Sequence, residues 1–99
     1  MKIKDITPEN RPRERLEKQG PSVLSDAELL AIILKTGNKT ENVIDMSNRL
    51  ISKYGFDKLS MCSLTELQVI NGIGSAKASQ LLALFELNKR HSYSKTQGK

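Results

Sequence analysis

The residue pattern with the most specific chemistry is a pair of glycines in the last third of the chain. Gly72 and Gly74 flank Ile73, and Lys77 follows about one helical turn later. Glycine accepts positive φ angles and places no side chain on an approaching surface. A helix that starts after Gly74 would point the amides near Ser75 outward, and Lys77 would add a positive charge. We therefore predict a site for a nucleic-acid phosphate at these five residues, which reads the backbone rather than the base sequence.

The apolar residues around these glycines support a helical hairpin. Leu67 and Ile70 would hold a first helix to the core, and Ala78 would let a second helix pack closely against it. This pattern resembles the helix–hairpin–helix motif of DNA-binding proteins. The alternative is that the glycines only cap a helix and turn the chain. A dinucleotide-binding loop does not fit, because no strand precedes the glycines and no third glycine has the required spacing.

Two other basic segments are candidates for secondary contacts with DNA. The loop of residues 35–39 carries two lysines beside a helix start, although it fits an ordinary solvated loop equally well. The secondary candidates are Lys35, Thr36, Gly37, Lys39 and Arg90. Arginines also alternate with glutamates in residues 9–17, and this mixture favours internal ion pairs over a basic clamp on DNA.

Composition excludes several other classes of protein. Cys62 and His91 are the only cysteine and histidine, so the chain forms no internal disulfide and no structural zinc site, and we predict no metal or cofactor. No nucleophile–base set or carboxylate pair has suitable spacing, and we predict that the chain is not an enzyme. Without a signal-peptide pattern or a membrane-spanning apolar run, we predict no membrane partner and a cytoplasmic location. The net charge is +5, of which residues 89–99 contribute +4.

Capping residues and apolar spacing predict an all-α fold. Helices are expected over 11–19, 26–34, 41–54, 64–70 and 75–90. Capping boxes open two of them, at Ser25 with Glu28 and at Ser63 with Glu66. The sequence predicts Thr40 as the cap of the third helix. It also predicts that Gly37 ends the second helix in a left-handed conformation.

These helices predict a small bundle of about five helices that contains the helix–hairpin–helix. A faint repeat relates residues 28–37 to residues 66–74, since each is a capped helix that enters a glycine turn. This repeat suggests two stacked helical hairpins. We expect an extended N-terminal arm over 1–10, the helical domain over 11–90, and a disordered basic tail or the start of a linker over 91–99.

Three separate segments, in order, resemble the amino-terminal region of the RadC family. They are Arg11–Leu16, then Leu24–Leu34 with Thr36 and Gly37, then Gly72–Gly74 with Ala76, Lys77, Ala78 and Leu81. Glu86, Leu87 and Arg90 complete the pattern, which covers residues 3–90. The resemblance implies a helix–hairpin–helix domain that is associated by name with DNA repair. In that family a second domain follows, similar to JAMM-type zinc isopeptidases with a His-x-His-Pro signature, and this chain lacks that signature.

Two functional hypotheses follow from the sequence. The first is weak, salt-dependent binding to the phosphates of DNA, duplex or branched, without sequence preference. The second is a protein-interaction or regulatory module for the metalloprotease-like domain that the resemblance implies. The low charge of residues 1–88 and the apolar stretch from Leu29 to Leu34 motivate this second hypothesis.

Overall fold

The computed structural model describes residues 11–97 and the side-chain environments of residues 11–92, so the predicted N-terminal arm lies outside the described residues. Within this range the chain is helical and contains no strand, which confirms the all-α prediction. The elements are α1 (Arg11–Gln19), a 3-10 turn (Pro21–Val23), α2 (Asp26–Leu34), α3 (Val43–Lys53), α4 (Phe56–Ser60), α5 (Leu64–Val69) and α6 (Ser75–Gln97). They fall into two compact units that divide after Phe56.

The first unit is built on the pair formed by α2 and α3, which pack against each other. Ser25 caps α2 as predicted: its hydroxyl accepts from the Glu28 N–H, and the Glu28 carboxylate accepts from the Ser25 N–H at 2.9 Å. Both helices contribute fully or nearly fully buried apolar side chains to the core. These are Ala27, Leu30, Ala31 and Leu34 from α2, and Val43, Met46 and Leu50 from α3.

Helix α1 is attached to this pair by an arginine. The Arg15 guanidinium pairs with the Glu28 carboxylate and also donates to the Val23 carbonyl at 3.2 Å. The hydrogen bond from the Ser25 backbone N–H, together with Arg15, holds the pKa of Glu28 below its usual value. Arg15 therefore serves the fold through an internal ion pair, but its partner lies in α2 and not among the glutamates interleaved in residues 9–17, while Arg11 and Arg13 are exposed.

The end of α2 corrects the prediction for Gly37. The residue with a positive φ is Lys35, with φ 73° and ψ −49°, and the Thr36 N–H donates to the Leu34 carbonyl at 2.8 Å. This is the geometry of a γ-turn centred on Lys35. Gly37 instead lies where two stretches of backbone approach closely: a Cβ on it would be 2.1 Å from the Glu41 carbonyl oxygen. The glycine is needed for close packing rather than for a left-handed cap.

The start of α3 corrects the predicted cap. The helix begins at Val43, and the Asn42 side chain accepts from the Asp45 N–H at 2.8 Å. Thr40 instead donates its N–H and its hydroxyl to the Asn38 side chain, at 2.9 and 3.0 Å. Thr40 and Asn42 are both polar residues near the start of α3 that could cap it. Because Thr40 is hydrogen-bonded to Asn38 within the loop, Asn42 is the cap.

The second unit contains α5 and α6, which pack against each other. Ser63 and Glu66 form the predicted capping box at the start of α5. The unit's buried side chains come from α4, from α5 and α6, and from the connection between the last two helices: Leu59, Leu67, Ile70, Ile73, Ala78, Leu81 and Phe85. Each unit thus contains one pair of packed helices, as the repeat predicted, while the stacking of the two hairpins stays a prediction.

The predicted end of the last helix is wrong. Helix α6 continues from Ser75 to Gln97, seven residues past the predicted end at Arg90, so residues 91–97 are helical. The sequence of this segment lacks the apolar spacing of a core helix, so it was not predicted as helical. Its residue types nevertheless have only modestly unfavourable helix propensities. Among the helices described, none is both long enough and apolar enough to cross a membrane.

Candidate nucleic-acid interface

The connection between α5 and α6 is a tight turn that requires one glycine. Helix α5 ends at Val69, and the Ile73 N–H donates to the Ile70 carbonyl at 3.0 Å, which closes a four-residue turn. Gly72, the third residue of this turn, has φ 94°. A residue with a Cβ is strained in this region of φ, so the turn depends on glycine at position 72.

Ile73 anchors the turn to the core of the second unit. Its side chain is 3% exposed, and Leu67 of α5 and Ala78 of α6 are fully buried. The small side chain of Ala78 allows the two helices to approach, as the sequence predicted. The buried side chain of Ile73 and the positive φ of Gly72 together fix where the following residues begin α6.

Gly74 has a different role from Gly72. Its φ lies outside the left-handed region, and a Cβ built on it would meet no atom within 4 Å. Neither its backbone angle nor its packing therefore requires glycine. The Ala78 N–H donates to the Gly74 carbonyl at 2.9 Å, which puts Gly74 in the cap position of α6. The missing side chain leaves an open surface beside the first turn of the helix.

The first turn of α6 is electrostatically unlike that of the other α-helices described. Each of those contains an acidic residue in its first turn: Glu14 in α1, Asp26 and Glu28 in α2, Asp45 in α3, Asp57 in α4 and Glu66 in α5. Helix α6 has none. The N–H groups in the first turn have no carbonyl partner within the helix, and the macrodipole adds a partial positive charge there. In α6 no acidic side chain offsets that charge.

The predicted phosphate-binding residues lie together between positions 72 and 77 and are partly open to solvent. Gly74 and Ser75 are exposed, Gly72 and Lys77 are half-buried, and Ile73 supports the turn from the core. The sequence analysis did not name Ala76 as a phosphate contact, although it is exposed in the same first turn. Counting residues from the predicted start of α6 after Gly74 places Ala76 in the first turn, and this count would have added it to the predicted contacts.

The secondary candidates are not part of this turn. The loop of the first unit exposes Lys35, Thr36 and Lys39. Gly37 of the same loop is half-buried and lies close to the backbone of Glu41. Arg90 lies on the exposed part of α6, where its Nε donates to the Glu86 carboxylate at 2.9 Å. That pair is exposed on both sides and contributes little to stability.

One surface feature was missed by the sequence analysis. A groove lies in the second unit between the α4–α5 connection and α6, with Cys62 on one side and Leu82 and Phe85 on the other. Leu82 and Phe85 lie about one turn apart on α6, a spacing equally typical of core residues, so the sequence contains no separate signal for a groove. For metal chemistry, residues 11–92, whose side chains the structure describes, contain no group of three or more histidine, cysteine, aspartate or glutamate residues that could hold an ion. The predicted lack of enzymatic activity stays a prediction.

The fold and the turn define a small all-α domain with an open helix start behind a glycine turn. A family model described as UPF0758 N-terminal matches residues 3–79, and the chain belongs to this family. It is 54% identical over 99 residues to a UPF0758 protein of Pelodictyon phaeoclathratiforme, a match that covers all of this chain and 45% of that protein. It is 53% identical over 90 residues to a UPF0758 protein of Methanococcoides burtonii, covering 91% of this chain and 39% of that protein.

The chain therefore spans less than half the length of these relatives. No solved structure matches it. Membership of the family confirms that the chain corresponds to the N-terminal region of longer proteins, as the resemblance implied. The helix–hairpin–helix assignment and the association with DNA repair stay predictions.

Proposed function

We propose that this domain binds the phosphate backbone of DNA, without sequence preference, at the start of α6. The observation that supports this most directly is the absence of an acidic side chain from the first turn of α6, beside the open surface at Gly74. A phosphate is the ligand that such a helix start accepts best, since backbone N–H groups and the macrodipole both favour an anion. Lys77 contributes a charge-assisted contact one turn along.

The binding is weak for a single domain. One helix start of this kind contacts about one or two phosphates. This site alone contributes a slope of about −1 to −2 when the logarithm of the affinity is plotted against the logarithm of salt concentration, and each secondary contact adds about −0.9. Lys35 and Lys39 on the loop of the first unit and Arg90 on α6 are secondary contacts in this proposal. Because phosphate contacts carry no sequence information, duplexes of different sequence should bind alike.

Two substitutions at one position test the site without disturbing the fold. Aspartate and asparagine are both favourable at a helix cap, and Gly74 has room for either side chain. Gly74→Asp places a carboxylate where the phosphate would lie, whereas Gly74→Asn is a matched neutral control. We expect Gly74→Asp to weaken DNA binding by about 10- to 100-fold relative to Gly74→Asn, because hydrogen bonds to a charged group contribute about 1.5–3 kcal/mol.

Fluorescence anisotropy with two labelled duplexes of unrelated sequence, at low and moderate salt, measures this difference. Thermal unfolding of both variants confirms that each is folded. A Lys95→Gln/Lys99→Gln variant removes two charges from the C-terminal segment and reports how much of the binding is due to that segment. Equal affinity of the Gly74→Asp and Gly74→Asn variants, with loss of binding in the lysine variant, would assign the binding to the C-terminal segment and refute the site at α6.

A further inference from the structure

The second unit carries a groove that the proposed DNA site does not use. It has a volume of about 570 Å³ and lies between the α4–α5 connection and one face of α6. Volumes of this size are typical of sites that hold a ligand or a few side chains of a partner. The lining is contributed by Ser60, Met61, Cys62, Leu82, Phe85, Glu86, Asn88 and Lys89.

The groove combines apolar surface with one unmatched charge. Met61, on its α4–α5 side, is 83% exposed, so an apolar side chain is open to solvent at the groove. Of the two charged side chains in the lining, Glu86 is paired with Arg90. Lys89 has no ion-pair partner among the described residues. An occupant that complements this surface is apolar and carries a carboxylate that faces Lys89.

Helix α6 is also longer than the packing of the unit requires. Phe85 is its last buried residue, and every side chain from Glu86 to Ser92 is exposed, including the apolar Leu87. Most helices in proteins derive their stability from packing one face against other structure. A stretch of about two turns without such packing, at the end of the wall of a groove, indicates a surface that packs against a further segment of polypeptide.

The length of the relatives indicates which polypeptide that is. The Pelodictyon phaeoclathratiforme relative has more than half of its chain outside the matched region, and the matching family model is the N-terminal one. Residues that follow α6 in such a protein are tethered directly to one wall of the groove. Tethering raises the effective concentration of a nearby segment to the millimolar range, so even a modest apolar contact would be occupied.

We propose that this groove is the docking site for the polypeptide that follows this domain in the full-length family members, through an apolar stretch with a carboxylate opposite Lys89. The contact would position the two parts of the protein relative to each other. It involves none of the residues assigned to phosphate binding, and it does not depend on the proposed function.

Cys62 provides a reporter, because it is the only cysteine of the chain and it lines the groove. The test compares two proteins: this chain followed by a flexible Gly-Ser extension, and this chain fused to the residues that follow the matched region in the Pelodictyon phaeoclathratiforme relative. The rate of alkylation of Cys62 by N-ethylmaleimide is measured by mass spectrometry of the peptide that contains it, without DNA. We expect the fusion to slow the reaction at least tenfold.

A matched pair of substitutions shows whether the groove itself is responsible. Met61→Glu changes a residue of the lining, and Val69→Glu changes an 80% exposed residue outside it, so neither should unfold the domain. We expect Met61→Glu to restore fast alkylation of the fusion and Val69→Glu to leave it slow. Alkylation rates of the fusion and the extended chain that agree within twofold would overturn the proposal. So would equal effects of the two substitutions, or protection of the unfused chain that grows with its own concentration, which would identify a second copy as the occupant.

Discussion

Replacement of Ser47 by alanine should stabilise the protein by about 1–2 kcal/mol. Ser47 lies on the buried face of α3 with no exposed surface, and its hydroxyl has no hydrogen-bond partner among the described residues. A buried polar group without a partner costs about 1–3 kcal/mol. Alanine also has a higher helix propensity than serine, by less than about 0.7 kcal/mol. The change removes only one oxygen atom, so the cavity left behind is small.

A second serine on the same helix separates these two effects. Ser52 is exposed in α3, so Ser52→Ala measures the gain from helix propensity alone. For a chain of this length, 1 kcal/mol shifts the thermal midpoint by about 4–8 °C. We expect the Ser47→Ala variant to melt about 4–16 °C above the wild type and clearly above Ser52→Ala. If Ser47→Ala is no more stable than Ser52→Ala, the hydroxyl is satisfied in the native state, and the account of this buried face is wrong.

Three further predictions concern the loop and the capped helices. Gly37→Ala should lower the free energy of unfolding by about 1–3 kcal/mol because its Cβ would overlap backbone, while Gly74→Ala should change it by less than about 1 kcal/mol; urea unfolding measures both. The pKa of Glu28 is lower in the folded state than in the unfolded state. The ionised carboxylate therefore stabilises the fold at pH values above the pKa of the unfolded state, and this contribution is lost as the pH falls through the pKa of the folded state. Glu28→Gln should therefore melt below the wild type at pH 7, and the difference should shrink below about pH 4. Asn42→Ala should cost about 1 kcal/mol in thermal unfolding and Thr40→Ala less, and the reverse order would restore Thr40 as the cap.

The features that were correctly predicted from the sequence depend on residues close together in the chain. The capping boxes at Ser25 and Ser63 each need only a partner three residues later, so their chemistry is visible in the sequence. The alternation of charges around Arg15 favoured ion pairs with the interleaved glutamates of residues 9–17, whereas the structure identifies Glu28 as the partner. That partner is thirteen residues away, and the sequence alone could not have chosen it among the nearby carboxylates.

The errors occurred where contacts between segments decide the local structure. Gly37 follows a helix and was assigned the usual role of glycine there, but its position under the backbone of Glu41 is a consequence of how the loop folds back. Lys35 then has the positive φ at this helix end, where glycine or asparagine is the usual residue. The long end of α6 was missed for the opposite reason, because the prediction relied on apolar spacing and this segment has almost none.

The two glycines of the turn show why a motif does not by itself identify a binding site. Gly72 is required by its φ of 94°, so any substitution there acts first on the fold, and a loss of DNA binding would say nothing about contact. Gly74 is under no such requirement from its backbone angle or its surroundings. Aspartate and asparagine can both cap α6 from position 74 without straining the turn, so the two variants differ chiefly in the charge that they present to an approaching ligand. Loss of binding in a folded Gly74→Asp variant, but not in Gly74→Asn, is therefore evidence for a ligand at this helix start, which the motif alone cannot supply.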